Sequence, residues 1–281
     1  MEILKKTFSI FSDFSFIAKI SIIFILFLII VAVFAPFFSP YPPDKESGPT
    51  LAPPNKEHIF GTDDLGYDIW SQIVYGARVS LIVGFVTAFI SAFGGGIIGI
   101  FAGYVGGLID KIIMRIVDIM VVMPELPMII VLSAFFGPSL LNIILVITLF
   151  SWVRPARIIR SQVLMVKEME YIKSAESYGA GAFYLIKKHF FPEVFPLLAV
   201  NIIKISGRAI VMEAGLSFLG LGDPTSKSWG LILNHALNFQ GIYYTPFWKW
   251  WIIFPWLVLS ALIVSLAFLN KELEDIYSLR S

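Results

Sequence analysis

The 281-residue chain reads as an all-α, polytopic membrane protein with about six transmembrane helices. Composition is the first reason. Apolar residues make up 57% of the chain and charged residues 15%, where a soluble domain holds about 45–50% and about 25%, and mean hydropathy is +0.82. Spacing is the second. Apolar runs of roughly the 20 residues that a helix needs to cross the hydrocarbon core recur at 17–38, 79–104, 112–136, 139–158, 193–214 and 248–269. Charge is the third. With the N-terminus inside and six alternating spans, fourteen Lys/Arg fall on the inner side, among them Lys5, Lys6, Arg154, Arg157, Lys173 and Arg280. The outer side holds five, Lys45, Lys56, Arg78, Lys227 and Lys249, and this excess predicts cytoplasmic termini in a cell membrane.

The first run follows Lys5 and Lys6, as a signal peptide would, but it exceeds the roughly 7–15 residues of a signal core. Pro36 also follows the only small-residue cleavage site, Val33-x-Ala35, so residues 1–38 are expected to be a cytoplasmic segment and a retained first helix. Residues 39–78, Pro-rich at their start, are expected to be extracellular. Residues 79–270 form the core domain, with an extracellular segment at 215–247, a cytoplasmic loop at 159–192 and a cytoplasmic tail at 271–281. Phe247, Trp248, Trp250 and Trp251 are placed at the outer end of the last span, where an interfacial aromatic belt belongs.

The second span carries Ser91, Gly95, Gly99, Gly103 and Gly107 at four-residue intervals. Such a ridge of small residues lets another helix backbone come close, either within the chain or between subunits. Ionisable residues inside spans are costly and therefore candidates for function. Asp118 and Glu125, seven apart, are expected on one face of the third span, and Lys204, Arg208 and Glu213 on the fifth. They either pair between helices or line a polar path, with Glu125 or Arg208 expected to face it. Pro124 and Pro127 flank Glu125 and predict a kink.

The loop at 159–192 is longer than a connector requires. It reads as two short helices, 167–178 and 183–191, broken at Gly179-Ala180-Gly181 and ended by Pro192. Both mix apolar and basic residues, as a helix at the membrane surface or at a docking site does. The segment from Gly222 to Ser228 has the look of a phosphate loop, but Ser226 stands where glycine must precede Lys227. The chain thus offers no nucleotide site. With no cysteine, and with His58, His189 and His235 scattered over both faces, nothing suggests a metal or a catalytic set. A net charge of +1 argues against nucleic acid.

Three blocks resemble a known family. The first runs from His58-Ile-Phe-Gly61-Thr62-Asp63-Asp64-Leu65-Gly66-Tyr67-Asp68 to Tyr75-Gly76-Ala77-Arg78-Val79-Ser80-Leu81. The second is the loop Tyr171 to Pro192, with Gly179, His189 and Pro192 in place. The third is Glu213-Ala214-Gly215-Leu216-Ser217-Phe218-Leu219-Gly220-Leu221-Gly222, followed by Ser228-Trp229-Gly230. Together they resemble the C-type permease of the dipeptide/oligopeptide/nickel branch of ATP-binding-cassette importers. Ile59 and Tyr67 stand where Pro and Arg are usual, and Lys173 stands where the loop's acidic residue is usual.

The resemblance implies a type I-like importer fold and an import cycle of alternating access. It implies a paralogous permease partner, two cytoplasmic ATPases that bind the ATP and Mg, and an extracellular substrate-binding protein. It implies that Lys173, Ala175, Gly179, His189 and Pro192 couple to an ATPase, and that the substrate is a di- or oligopeptide, with oligosaccharides and nickel complexes as alternatives. A self-contained secondary transporter or channel is the rival reading. A membrane-embedded hydrolase is a second rival, without a clustered catalytic set to support it.

Overall fold

The computed structural model describes residues 14–278, and Lys5, Lys6 and Arg280 of the charge census lie outside the described residues. Among the described residues, five helices are long and apolar enough to cross a membrane, or six if one bent pair counts as a single span. Helix α1 is Phe16–Val33, α2 Ile69–Val105, α3 Gly107–Val122, α4 Glu125–Phe136 and α5 Leu140–Lys167. Helix α6, Glu170–Ser177, is short. Helix α7 is Ala182–Phe218, α8 Trp229–Asn238 and α9 Trp248–Ile276.

Ser15 caps α1 by accepting from the Ala18 amide, and its own hydroxyl donates to Glu272 at 2.6 Å, which ties the start of α1 to the end of α9. The outer face of α1 leaves Ile20, Ile23, Phe27 and Ile30 at least half exposed. A helix that is apolar on every side, with one face on protein and the rest open, suits lipid contact.

Helix α2 is the axis of the bundle. Its 37 residues give a length of about 55 Å at 1.5 Å per residue. It starts ten residues before the expected 79, because Asp68 caps it and Ile69, Ile73, Val74 and Ala77 bury an apolar face there. Residues 69–78, expected in an extracellular segment, are thus helix. The glycine ridge meets α5 at backbone distance. A Cβ on Gly95 would stand 2.3 Å from the Trp152 carbonyl oxygen, and one on Gly99 2.5 Å from that of Ala156. Gly103 is less tight, with the Val163 side chain at 3.0 Å and the Arg160 carbonyl oxygen at 3.1 Å from such a Cβ. Gly107 does not join this ridge. The helix ends at Val105, Gly106 and Gly107 turn through positive φ, and Gly107 opens α3 in free space.

Helices α3 and α4 meet at a 91° bend. Met123 and Pro124 are extended there, and the missing Pro124 N–H removes the bond that would carry the helix through. The expected kink is thus a corner. Asp118 and Glu125 do not share a helix face, since each belongs to a different arm. Helix α5 bends slightly at Trp152 and runs on to Lys167, well past the expected end at 158.

The loop at 159–192 also differs from expectation. Only α6 is a separate short helix. The second expected short helix is the first part of α7, and Pro192 does not end it. A π turn at Ile186–Phe190, closed by the Phe191 amide on the Ile186 carbonyl, carries the chain into the proline. Pro192 then sits in the first turn of regular helix, where its missing N–H costs nothing.

At the end of the bundle formed by residues 39–68 and 219–247, Trp229 is buried and donates to the Ile73 carbonyl at 2.9 Å. The expected aromatic belt is not a belt. Trp250 and Trp251 are buried, and the Trp250 indole donates to the Thr62 carbonyl at 3.3 Å. Residues 39–68 fold back over these rings, and only Trp248 of the three is exposed.

Candidate translocation and coupling sites

Each ionisable side chain expected inside a span has a partner on another helix. Asp118 of α3 pairs with Arg157 of α5, with both side chains about half exposed. Lys204 of α7 pairs with Glu274 of α9 at 3.0 Å. Glu213 of α7 is fully buried, accepts from Ser217 at 2.7 Å, and meets Ser80 of α2 at 3.3 Å. Arg208 of α7 pairs with Glu125 at the start of α4. A pair that the sequence did not single out joins Asp110 of α3 to Arg160 of α5 by two hydrogen bonds.

The Glu125–Arg208 pair differs from the others. Glu125 stands just past the corner, where α4 leaves the path of α3. Its second oxygen, Oε1, is buried with no hydrogen-bond partner. A cavity of about 40 Å³ lies beside it, lined by Met123, Phe150, Val153 and Arg154 among others. On the Arg208 side a larger cavity of about 310 Å³ is bounded by Leu126, Ile129, Ile130, Val211, Met212 and neighbouring apolar residues. Glu125 is eleven residues from the end of α4, Arg208 ten from the end of α7 and Arg154 fourteen from the start of α5. Measured along the helices at about 1.5 Å per residue, these stand roughly 15–21 Å from the helix ends named.

The segment between α5 and α7 is built differently. Ile172 of α6 is buried with Leu185 and Phe190 of α7 and with Ile159 and Val163 of α5. Burying one such side chain fully stabilises by about 1.5–3 kcal/mol, enough to seat a helix of two turns. Ala175 packs against this cluster. Lys173 faces away from it and pairs with Glu168 at 2.7 Å, which holds the Glu168 carboxyl below its ordinary range. Gly179 ends α6 at φ +84°, a conformation that a Cβ resists, with nothing packed around it. His189 lies between the rings of Tyr171 and Tyr184, 5.5 and 5.8 Å away. Tyr178 and Phe183 flank the turn at 93% and 78% exposure. Sequence reasoning passed over these two rings, although large apolar groups beside a glycine turn are a readable sign of a docking tip.

At the opposite end, a polar network built from the first of the three resembling blocks braces residues 39–68. Asp68 accepts from the Ser71 amide and hydroxyl at 2.8 and 2.7 Å, and its other oxygen is 2.9 Å from His58 Nδ1. Asp63 accepts from the amides of Leu65 and Tyr67 and from Gln72 Nε2. Burial pushes the Asp63 carboxyl above its ordinary value. Among the described residues, no three His, Cys, Asp or Glu side chains converge as metal ligands do.

Residues 95–274 match the family described as the binding-protein-dependent transport system inner membrane component. Residues 17–54 match the N-terminal transmembrane domain of oligopeptide transport permease C. The chain is 37% identical over 245 residues to the dipeptide transport system permease protein DppC of Bacillus subtilis, covering 85% of this chain and 74% of that one. It is 36% identical over 204 residues to the oligopeptide transport system permease protein OppC of the same organism, covering 72% and 65%. A putative peptide transport system permease protein of Brucella suis is 33% identical over 228 residues, covering 80% and 75%.

Proposed function

This chain belongs to the family of binding-protein-dependent transport system inner membrane components, and from that premise we propose that it imports di- or oligopeptides as one of two unlike permeases in an ATP-driven complex. The observation that carries the coupling half of this reading is the α6 segment. An apolar residue anchors a short helix to the bundle, while its glycine turn and two exposed rings project from the end where both described termini lie. The Lys/Arg excess supports assigning that end to the cytoplasm, with residues 39–68 and 219–247 outside. The printed names of the relatives, dipeptide and oligopeptide permeases, support the substrate class.

In this reading the chain binds no nucleotide. Two cytoplasmic ATPases take up ATP and Mg and dock on Lys173, Ala175, Gly179, His189 and Pro192 together with Tyr178 and Phe183. An extracellular binding protein delivers the peptide, and a paralogous permease completes the path. Glu125 and Arg208 face that path, with Asp118, Lys204 and Glu213 holding the helices that line it.

Purification of the tagged chain from its native membrane is expected to bring two ATPase subunits and a second permease with it. In that complex, Gly179→Leu strains the turn without touching the bundle. It is expected to leave assembly intact while ATP hydrolysis no longer responds to peptide-loaded binding protein. Wild-type uptake in that variant would refute the docking role. Cysteines placed at 125 and 208 are expected to react with an impermeant thiol reagent in at least one state of the transport cycle, and protection of both throughout would remove them from the path.

A further inference from the structure

Arg154 is the one charged side chain of the cluster around Glu125 without an ion-pair or hydrogen-bond partner among the described residues. It is exposed and lines the same small cavity as Glu125, the partner of Arg208. Glu125 gives one oxygen to Arg208 and leaves the other buried and unmatched. The nearest further acid along α3, Asp118, is already taken by Arg157. Two guanidiniums therefore stand near one carboxylate that pairs with only one of them, and the cluster carries an excess positive charge within apolar helices, where an ionisable group is costly. A guanidinium is a fork of donors matched to a carboxylate. The neighbouring cavity, at about 310 Å³, is at the lower end of the roughly 300–1,000 Å³ of small-ligand sites. Its walls are apolar, and Arg208 is its only charged lining residue.

We infer that Arg154 and Arg208 form a subsite for the carboxylate of the transported molecule, with the apolar cavity receiving its side chains. This rests on the peptide-import reading, in which the carboxylate is the peptide C-terminus. Glu125 holds Arg208 in place while the site is empty. It yields the guanidinium when the incoming carboxylate bridges the two arginines, so the cluster keeps a charge partner in both conditions. A cation of this kind, set at the corner between α3 and α4, meets the cargo where the path changes direction.

The experiment compares uptake of a tripeptide and of its C-terminal amide by the full complex in proteoliposomes, for the wild type, Arg154→Gln and Arg154→Lys. The extracellular binding protein is the same in every arm, so its own preference cancels when the ratio of the two uptakes is compared between variants. A charge-assisted hydrogen bond corresponds to roughly a tenfold to hundredfold preference. Arg154→Gln is expected to reduce the carboxylate-to-amide ratio by that factor, and Arg154→Lys, which keeps the charge, to retain most of it. An unchanged ratio in Arg154→Gln overturns the subsite, whatever happens to the absolute rate. If the glutamine variant does not assemble, Arg154→Met, of similar length and uncharged, is read in its place: a reduced ratio supports the subsite, and an unchanged ratio overturns it. Failure of the wild type to take up either peptide removes the peptide reading itself and is told apart by the wild-type arm alone.

Discussion

The cap over one end of the bundle and the cluster around Glu125 are made from the same materials. Each uses carboxylates beside nitrogen donors on several elements, the first buried and the second open at Arg154. In the cap, all four oxygens of Asp63 and Asp68 are matched, and the donors are backbone amides, a hydroxyl, an amide side chain and one imidazole. In the other cluster, Glu125 has an unmatched oxygen and Arg154 an unmatched guanidinium, beside one small cavity. A closed network fixes a conformation, because every alternative arrangement leaves a buried polar group bare. An open one keeps places for something that arrives. In the proposed transport cycle, the contrast separates the part of this protein that holds shape from the part that would meet cargo.

The sharpest way to break the comparison is at Asp68. Asp68→Ala removes the cap of α2 and strands His58. Adding a lost cap at about 0.5–2 kcal/mol to an unmatched buried group at about 1–3 kcal/mol gives an expected loss of about 1.5–5 kcal/mol. It is read as a lower thermal midpoint in detergent and a lower yield of folded chain, and a stability equal to wild type would mean that the cap is not braced as described. Glu125→Gln comes next. It uncovers a partly buried Arg208, so a smaller stability loss of about 1–3 kcal/mol is expected, with transport falling far more than folded yield. Uptake and yield that fall in proportion would place Glu125 with the structural group.

Asp63 supplies a pH test. Its folded carboxyl titrates above the ordinary 3.8 because burial disfavours the ion. The folded state therefore binds more protons than the unfolded one just above that pH. Stability from this group is greatest in acid and declines as pH rises through the folded value, after which it is level. Asp63→Asn is expected to flatten that decline in the thermal midpoint measured from pH 4 upward, and an unchanged slope would assign it to other groups. The smallest effect is expected at Lys173. Its pair with Glu168 is exposed, and such pairs contribute about 0–1 kcal/mol. Lys173→Glu should leave the midpoint within that margin while reducing peptide-stimulated ATP hydrolysis. Full stimulation in that variant would take Lys173 out of the docking surface.

Legibility was uneven along the chain, for reasons that differ by region. The spans were readable because a run of apolar residues must be helix in lipid, whatever surrounds it. Their ends were not. Residues 69–78 contain Ser71, Gln72, Tyr75 and Arg78, and hydropathy places such a stretch outside the membrane although it continues α2. Pro192 read as a stop, and the π turn that admits it has no signature in the residues themselves. Gly107 continued the four-residue spacing of the ridge on paper, yet two glycines at positive φ had already ended the helix. The candidate path residues were recognisable as charges in apolar runs, but Arg154 was counted with the cytoplasmic cations. Its place inside a helix follows from where α5 ends, at Lys167 rather than 158.

The sequence by itself determined that this chain lives in a bilayer, that small residues line one ridge of its second span, that a glycine breaks its long loop, and which family its motifs resemble. These are local properties, set by transfer energy, side-chain size and backbone freedom at single positions. Only the tertiary structure decided which charge meets which, that Trp250 and Trp251 face protein rather than lipid, and that the third span turns a corner so that Asp118 and Glu125 part company. Pairing depends on the approach of helices far apart in sequence, and that approach is a balance over the whole bundle. Arg208 finds Glu125 across eighty-three residues of chain, and Arg154 is left beside them without a partner.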